Sequence, residues 1–241
     1  MMKISAHRGG SEHAAAAMYG AYEDALASGA EYAEFDIRKT RDDVLAVYHD
    51  ARLPHAGARV ADVSYEELCS RVGYIVPKVH DVMEIIAGRM IGHLDLKEFG
   101  YEEDVIRMAT SILGNDNFIA TTLEDESIIA IKRSFPAVRT ALSLGRDLGE
   151  VPRSRRVGIR QSEVFPIRRL RNCGADWAAI NYKLARLGVI KACKQRGIGI
   201  MVWTVDPDSM ISQFLSDQRI EVLITNRPYY AVCARSGECD E

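Results

Sequence analysis

Eight short apolar runs recur along the chain, at Lys3 to Ala6, Tyr32 to Arg38, Met90 to Leu96, Phe118 to Thr122, Val138 to Leu144, Trp177 to Asn181, Gly199 to Thr204 and Val222 to Thr225. Each has the length of a strand and is too short for an ordinary helix. Between them the apolar residues take helical spacing, at His13 to Ala27, Glu102 to Leu113, Asp125 to Arg133, Leu187 to Arg196 and Asp208 to Leu215. Strands that alternate with helices predict parallel βα units. Eight such units predict an α/β fold, an eight-stranded parallel (β/α)8 barrel. A further short run, Leu45 to Tyr48, is expected to lead as an extra strand into His49. Asp206-Pro207-Asp208 suits a helix start, because proline lacks an N–H that the first turn would leave unpaired anyway.

The length agrees with one barrel. The 241 residues, 47% of them hydrophobic, can bury a substantial core, and no linker or low-complexity stretch divides them. One domain is therefore expected over residues 1–235, with the polar stretch 236–241 frayed. A net charge of −3 argues against nucleic acid as a partner. Five cysteines, odd in number and without metal-ligand spacing, suit a reducing compartment. No apolar run reaches ~18 residues and no leader pattern precedes the first strand, so no transmembrane segment and a cytoplasmic location are expected. The sequence is silent on oligomeric state.

Chemistry concentrates in three places. In Ala6 to Gly10, AHRGG, His7 and Arg8 stand where the first strand ends. In the second run Glu34 and Asp36 are two apart, and residues two apart in a strand share a face. Two carboxylates side by side repel unless something positive lies between them, and a hard divalent cation such as Mg²⁺ or Ca²⁺ prefers such oxygen ligands. In the third run His93, Asp95 and Lys97 share one face. An ammonium on the inward face of a buried strand is expensive without a partner, and the phosphate of a substrate is a natural one for Lys97.

With these residues in view the chain resembles the glycerophosphodiester phosphodiesterase family. The resemblance covers nearly the whole length: AHRGG, Glu12 in SEHAAAAM, GAEYAEFDIRKTRDDVLAVYHD, DVSYEEL, VPKVHDVMEII, HLDLK, VWTVD at Val202 to Asp206 and ITNRP at Ile224 to Pro228. HRG alone would be weak; the order and spacing of the set are specific. The resemblance implies that His7 and His49 are the catalytic histidines. It implies further that Glu34, Asp36 and Asp95 ligate one divalent cation, Mg²⁺ or Ca²⁺, with Asp95 standing where the family usually has Glu. Arg8 and Lys97 match its phosphate-contacting positions, Trp203 matches the tryptophan lining the substrate pocket, and Glu12 matches the glutamate of its PENT segment, here Ser11-Glu12-His13-Ala14. Glu12, His93 and Asn226 are expected to support these groups from behind. The stretch from Asp50 to Met90 leaves little or no room for an inserted cap subdomain.

The activity so implied is cleavage of a small phosphodiester, a glycerophosphodiester or a related lysolipid, into an alcohol and a phosphomonoester by general acid and base histidines. Two alternatives share the same residues: a phospholipase D-like lyase that forms a cyclic phosphate, and an inactive phosphate-binding barrel whose charges only stabilise the fold. The run from Pro152 to Arg171 carries seven arginines against one acid. Such a run reads first as a solvated face. Its alternative is recognition of an anionic lipid surface or of a second anionic group on the substrate, the latter by Arg153, Arg155 and Arg156 and favouring a substrate larger or more anionic than glycerophosphocholine.

Overall fold

In a computed structural model describing residues 1–55, 57–149 and 151–237, the strands are β1 (Lys3–Ala6), β2 (Tyr32–Lys39), β3 (Leu45–Val47), β4 (Ile91–Leu96), β5 (Phe118–Thr122), β6 (Thr140–Leu144), β7 (Trp177–Asn181), β8 (Gly199–Trp203) and β9 (Val222–Thr225). All except β3 run parallel, and β1 pairs with both β9 and β2, which closes an eight-stranded barrel. β3 lies antiparallel on the end of β2, through Ile37 opposite Val47, and delivers the chain to His49. The fold is therefore the (β/α)8 barrel that the alternation predicts.

Period-two alternation sorts β2 and β4. Ala33, Phe35 and Ile37 of β2, with Leu94 and Leu96 of β4, join the apolar layer between barrel and helices. Tyr32 lies instead in the separate cluster that fills the barrel, with Ile119, Met201 and Ile224 among its members. The alternate residues Glu34, Asp36, His93 and Asp95 follow the inward register. Phe35 is fully buried and meets Tyr22 edge-on, with ring centroids 6.0 Å apart. Truncating it to alanine would cost about 3–5 kcal/mol.

The helices are α1 (Tyr19–Ser28), α2 (Tyr65–Val72), α3 (Val79–Ile86), α4 (Glu102–Leu113), α5 (Asp125–Ser134), α6 (Arg153–Val164), α7 (Ile167–Cys173), α8 (Tyr182–Leu184), α9 (Ile190–Lys194), α10 (Asp208–Leu215) and α11 (Pro228–Ser236). Two differ from the periodicity. The helix expected from His13 begins only at Tyr19, because Ala17 takes a left-handed φ of 63° and Met18 is extended. The helix expected over Leu187 to Arg196 shortens to α9, because Leu187 and Gly188, the latter at φ 83°, are non-helical within a wide turn over Ala185–Val189 that joins α8 to α9. Helices α2 and α3 occupy the stretch between β3 and β4. Ser64 and Glu67 cap α2 reciprocally, each side chain accepting from the other's backbone N–H. Around α2 a small cluster of Leu53, Val60, Val63, Leu68 and Val76 packs on Ala46 and Tyr48, so this excursion is compact. Ser236 closes α11, and residues 238–241 of the expected frayed tail lie outside the described residues. No described helix is long and apolar enough to cross a membrane.

Candidate active site

The register of β2 on β4 sets Glu34 beside His93 and Asp36 beside Asp95. Carboxylate oxygens of Glu34, Asp36 and Asp95 lie within 4.8 Å of one another, with Glu34 and Asp36 buried and Asp95 half-buried. Two cations enter the cluster. Arg8 Nε is 2.8 Å from Asp36 Oδ2, and Lys97 Nζ is 2.6 Å from Asp36 Oδ1 while also bonding the Asp95 carboxylate. Burial alone would raise the pKa of Asp36, but Lys97 and Arg8 hold it well below the usual carboxylate range. Burial would likewise lower Lys97, and Asp95 and Asp36 instead carry it above the ordinary lysine value. Glu34 shows the opposite result: burial, then Asp36 and Asp95, push its pKa well up. Two cations do not neutralise three acids.

The turn after β1 carries Arg8 into this cluster. His7–Gly9 form a tight turn in which Arg8 takes φ 52°, ψ 35°, and the Arg8 backbone N–H donates to Glu34 Oε2 at 2.8 Å. A left-handed arginine costs of order 1–3 kcal/mol, so the packing around it must impose the conformation. The two glycines show how. A Cβ on Gly9 would stand 2.7 Å from the Ala21 backbone, and one on Gly10 would stand 2.8 Å from the Pro228 ring. The turn is thus wedged between α1 and α11. Glu12 fastens the same place, its carboxylate accepting from the N–H groups of Tyr229 at 2.7 Å and Tyr230 at 3.1 Å in the first turn of α11. Glu12 therefore ties the segment after the His7–Gly10 turn to the start of α11, and its side chain makes no hydrogen bond to a carboxylate of the cluster.

The histidines have contrasting settings. His7 Nδ1 lies 2.7 Å from Asn226 Oδ1, and burial followed by the Arg8 charge lowers its pKa. His49 is exposed, and its Nδ1 lies 2.7 Å from Asp50 Oδ1. Its backbone is better held than its ring: the His49 carbonyl accepts from Arg38 Nε at 2.9 Å, and Arg38 pairs with Glu98 at 2.6 Å. His93 is fully enclosed between the hydroxyls of Ser5 at 3.0 Å and Thr121 at 3.2 Å, and burial pulls its pKa down to about 4. Thr121 in turn donates to Asp95 Oδ1 at 2.8 Å. His93 therefore reaches Asp95 through Thr121.

A cleft of about 1250 Å³ opens over these groups, lined by His7, Arg8, Glu34, His49, Asp95 and Lys97 on one side and by Ser143, Ala179, Leu184, Leu187 and Trp203 on the other. The Trp203 indole is oriented by its N–H, which donates to Ala179 O at 2.9 Å. Asp50, Ala51 and Arg52 also line the cleft. From the arginine run the cleft takes Arg160 and not Arg153, Arg155 or Arg156. Arg156 instead donates to the carbonyls of Val151 and Gly149, and Arg153 and Arg155 are exposed. Charge density alone does not single out the residues that matter here: Arg38, Thr121, Asp206 and the buried Glu163, which accepts from Gly145 N, Arg146 N and Arg160. For Arg38 and Asp206 a signal exists, since both lie within the motif stretches EFDIRKT and VWTVD. Thr121 and Glu163 carry none.

The acidic cluster fits a hard divalent cation. All its donors are oxygens, it is sheltered, and it sets three carboxyl groups against the two cations Arg8 and Lys97. Both Asp36 oxygens and Arg8 Nε are buried, and despite their proximity none is aligned in a hydrogen bond.

The chain is similar in sequence to the YhdW protein of Bacillus subtilis, 22% identical over 250 residues that span 96% of this chain and 97% of the other. Its fold matches the crystal structure of a glycerophosphodiester phosphodiesterase from Agrobacterium tumefaciens strain C58, with a TM-score of 0.73, 22% identity and coverage of 97% and 100% of the two chains. It also matches an Oleispira antarctica phosphodiesterase in complex with the product sn-glycerol-3-phosphate, with a TM-score of 0.75, 17% identity and coverage of 97% and 96%. Residues 7–229, nearly the whole barrel, match a single family, so the chain belongs to the glycerophosphoryl diester phosphodiesterase family.

Proposed function

We propose that this chain is a cation-dependent hydrolase that cleaves a glycerophosphodiester into an alcohol and a phosphomonoester by two-histidine acid and base catalysis. The observation that carries the reading is the convergence on one cleft of two histidines, three clustered carboxylates and two cations. Membership of a phosphodiesterase family supplies the reaction class.

Glu34, Asp36 and Asp95 would hold a divalent cation, Mg²⁺ or Ca²⁺, which when bound polarises a phosphoryl oxygen and lowers the pKa of an adjacent hydroxyl or water. Arg8 and Lys97 reach the same place and offset the charge that grows on the phosphoryl oxygens. His7 and His49, both on the cleft, divide the two proton transfers, one from the nucleophile and one to the leaving alcohol. Trp203, Leu184 and Leu187 give the far wall its shape and exclude water from one side of the substrate. The product in the Oleispira antarctica enzyme suggests glycerol 3-phosphate as the retained half.

The test is turnover of a panel of glycerophosphodiesters and lysolipids, with phosphorus NMR of the product. A phosphomonoester and free alcohol are expected. A cyclic phosphate would assign the lyase reaction instead, and no turnover of any diester, with metal supplied, would leave a binding barrel.

A further inference from the structure

His7 is hydrogen-bonded at one nitrogen. Nδ1 is 2.7 Å from Asn226 Oδ1, whereas Nε2 is 3.9 Å from Glu34 Oε2, beyond hydrogen-bond reach. Either nitrogen of a neutral imidazole can carry the proton, and the partner of the other decides which. The decision here comes from a third residue. Asp206 receives the Asn226 backbone N–H at 2.9 Å and the Thr225 hydroxyl at 3.3 Å on Oδ1, and Asn226 Nδ2 at 2.8 Å on Oδ2. Three donors converge on this carboxylate, and an ionised carboxylate can only accept. Asn226 must therefore turn its NH₂ toward Asp206 and its oxygen toward His7. An amide oxygen also only accepts, so the proton between Asn226 and His7 belongs to the histidine.

We infer that Asp206, acting through Asn226, fixes His7 as the Nδ1–H tautomer and leaves Nε2 as a bare acceptor beside the carboxylate cluster. The chain Asp206–Asn226–His7 crosses the ends of three adjacent strands, β8, β9 and β1. Asp206 touches no reacting atom; it is a positioning residue. The catalytic consequence rests on the proposed role of His7, while the tautomer itself does not. With Nε2 bare, His7 is the base. It takes a proton from the attacking water as the new P–O bond forms. The P–O bond to the alcohol breaks, and the departing oxygen takes a proton from His49, whose Nδ1 donates to Asp50 at 2.7 Å. Exchange of one proton with solvent at each histidine restores both.

The alternative is that Asp206 merely fastens the turn after β9. Long-range ¹H–¹⁵N NMR of histidine-labelled, metal-free protein separates the two, with His7→Ala assigning the signals. The expected wild-type result is a protonated Nδ1 and a bare Nε2 at His7. Asp206→Asn should invert the chain. The new amide keeps its oxygen on the Asn226 backbone N–H and offers NH₂ to the Asn226 side chain, which then turns its own NH₂ toward His7 and moves the histidine proton to Nε2. In the metal-supplemented enzyme kcat should fall about 10–100-fold with KM near wild type. An Nε2–H signal in the wild type, or an unchanged tautomer in Asp206→Asn, overturns the inference. If Asp206→Asn does not fold, the wild-type spectrum alone decides. A tautomer as expected together with full activity of His7→Ala would support the positioning chain and remove the catalytic reading of His7.

Discussion

On β1, β2 and β4 and the turns that follow them, the cleft is faced by His7, Arg8, Glu34, Asp95 and Lys97; on β6, β7 and β8 it is faced by Ser143, Ala179 and Trp203. The first wall holds unlike charges within 3 Å of one another, as in Arg8 with Asp36 and Lys97 with Asp36. At the rim of the second wall Arg146 pairs with Glu124 and Arg160 with Glu163. Buried charge is tolerable only where its partners are built in alongside it, so the acids and cations of the first wall must sit on neighbouring strands whose register brings them level. A wall made of small and apolar groups has no such constraint. On the proposed mechanism the difference separates a wall that does chemistry from one that sets shape.

If that division is right, perturbing the first wall should reduce kcat and perturbing the second should change KM. The largest effect is expected from removing the cation: chelation should abolish turnover, and Mg²⁺ or Ca²⁺ should restore it. Undiminished activity in metal-free, chelator-treated protein would break the account of the acidic cluster. Within that cluster Asp95→Glu, which keeps the carboxylate, should be tolerated better than Asp95→Ala.

Next come the histidines. His7→Ala and His49→Ala should each lower kcat by ~10²–10⁴-fold, with thermal melting unchanged to within a few degrees. A variant that retains wild-type kcat on the best substrate loses its place in the mechanism.

Glu163→Ala tests whether the rim of the second wall is held by charge. It strips a buried acceptor from two backbone N–H groups and from Arg160, and should lower unfolding stability by about 2–4 kcal/mol in urea titration. A loss below ~1 kcal/mol would show the rim to be held by packing alone.

Trp203→Ala should raise KM about 10-fold with little change in kcat, the signature of lost uniform binding. A drop in kcat with constant KM would instead move Trp203 to the chemical wall. The smallest effect is expected from replacing Arg153, Arg155 and Arg156 together by serine. Since none of the three lines the cleft, kcat/KM for anionic and neutral diesters alike should stay within about twofold. A selective loss on the anionic diester would return these arginines to substrate recognition.

Patterns local to one strand or one motif are legible in the chain. Glu34 and Asp36 on one face of β2, with Asp95 on β4 and Lys97 just past its end, follow from period-two alternation and short spacing. The alternation of strand and helix predicts the barrel for the same reason. Interactions between distant segments are not legible. Asn226 meets His7 across 219 residues, and Glu12 meets Tyr229 across 217. Helix boundaries failed where one backbone angle overrode a good apolar pattern, at Ala17 and Gly188.

The residues alone determined the order of strands, the inward placement of three acids and the chemical class those acids and histidines suit, because strand periodicity and ligand preference are properties of a few neighbouring side chains. Only the tertiary structure decided which arginines reach the cleft, that Glu12 caps α11 rather than bonding the acidic cluster, and that Asp206 and Asn226 meet His7. The last two outcomes depend on the closure of β1 onto β9, and the direction in which a hydrogen bond runs is fixed only when every partner in its chain is in place.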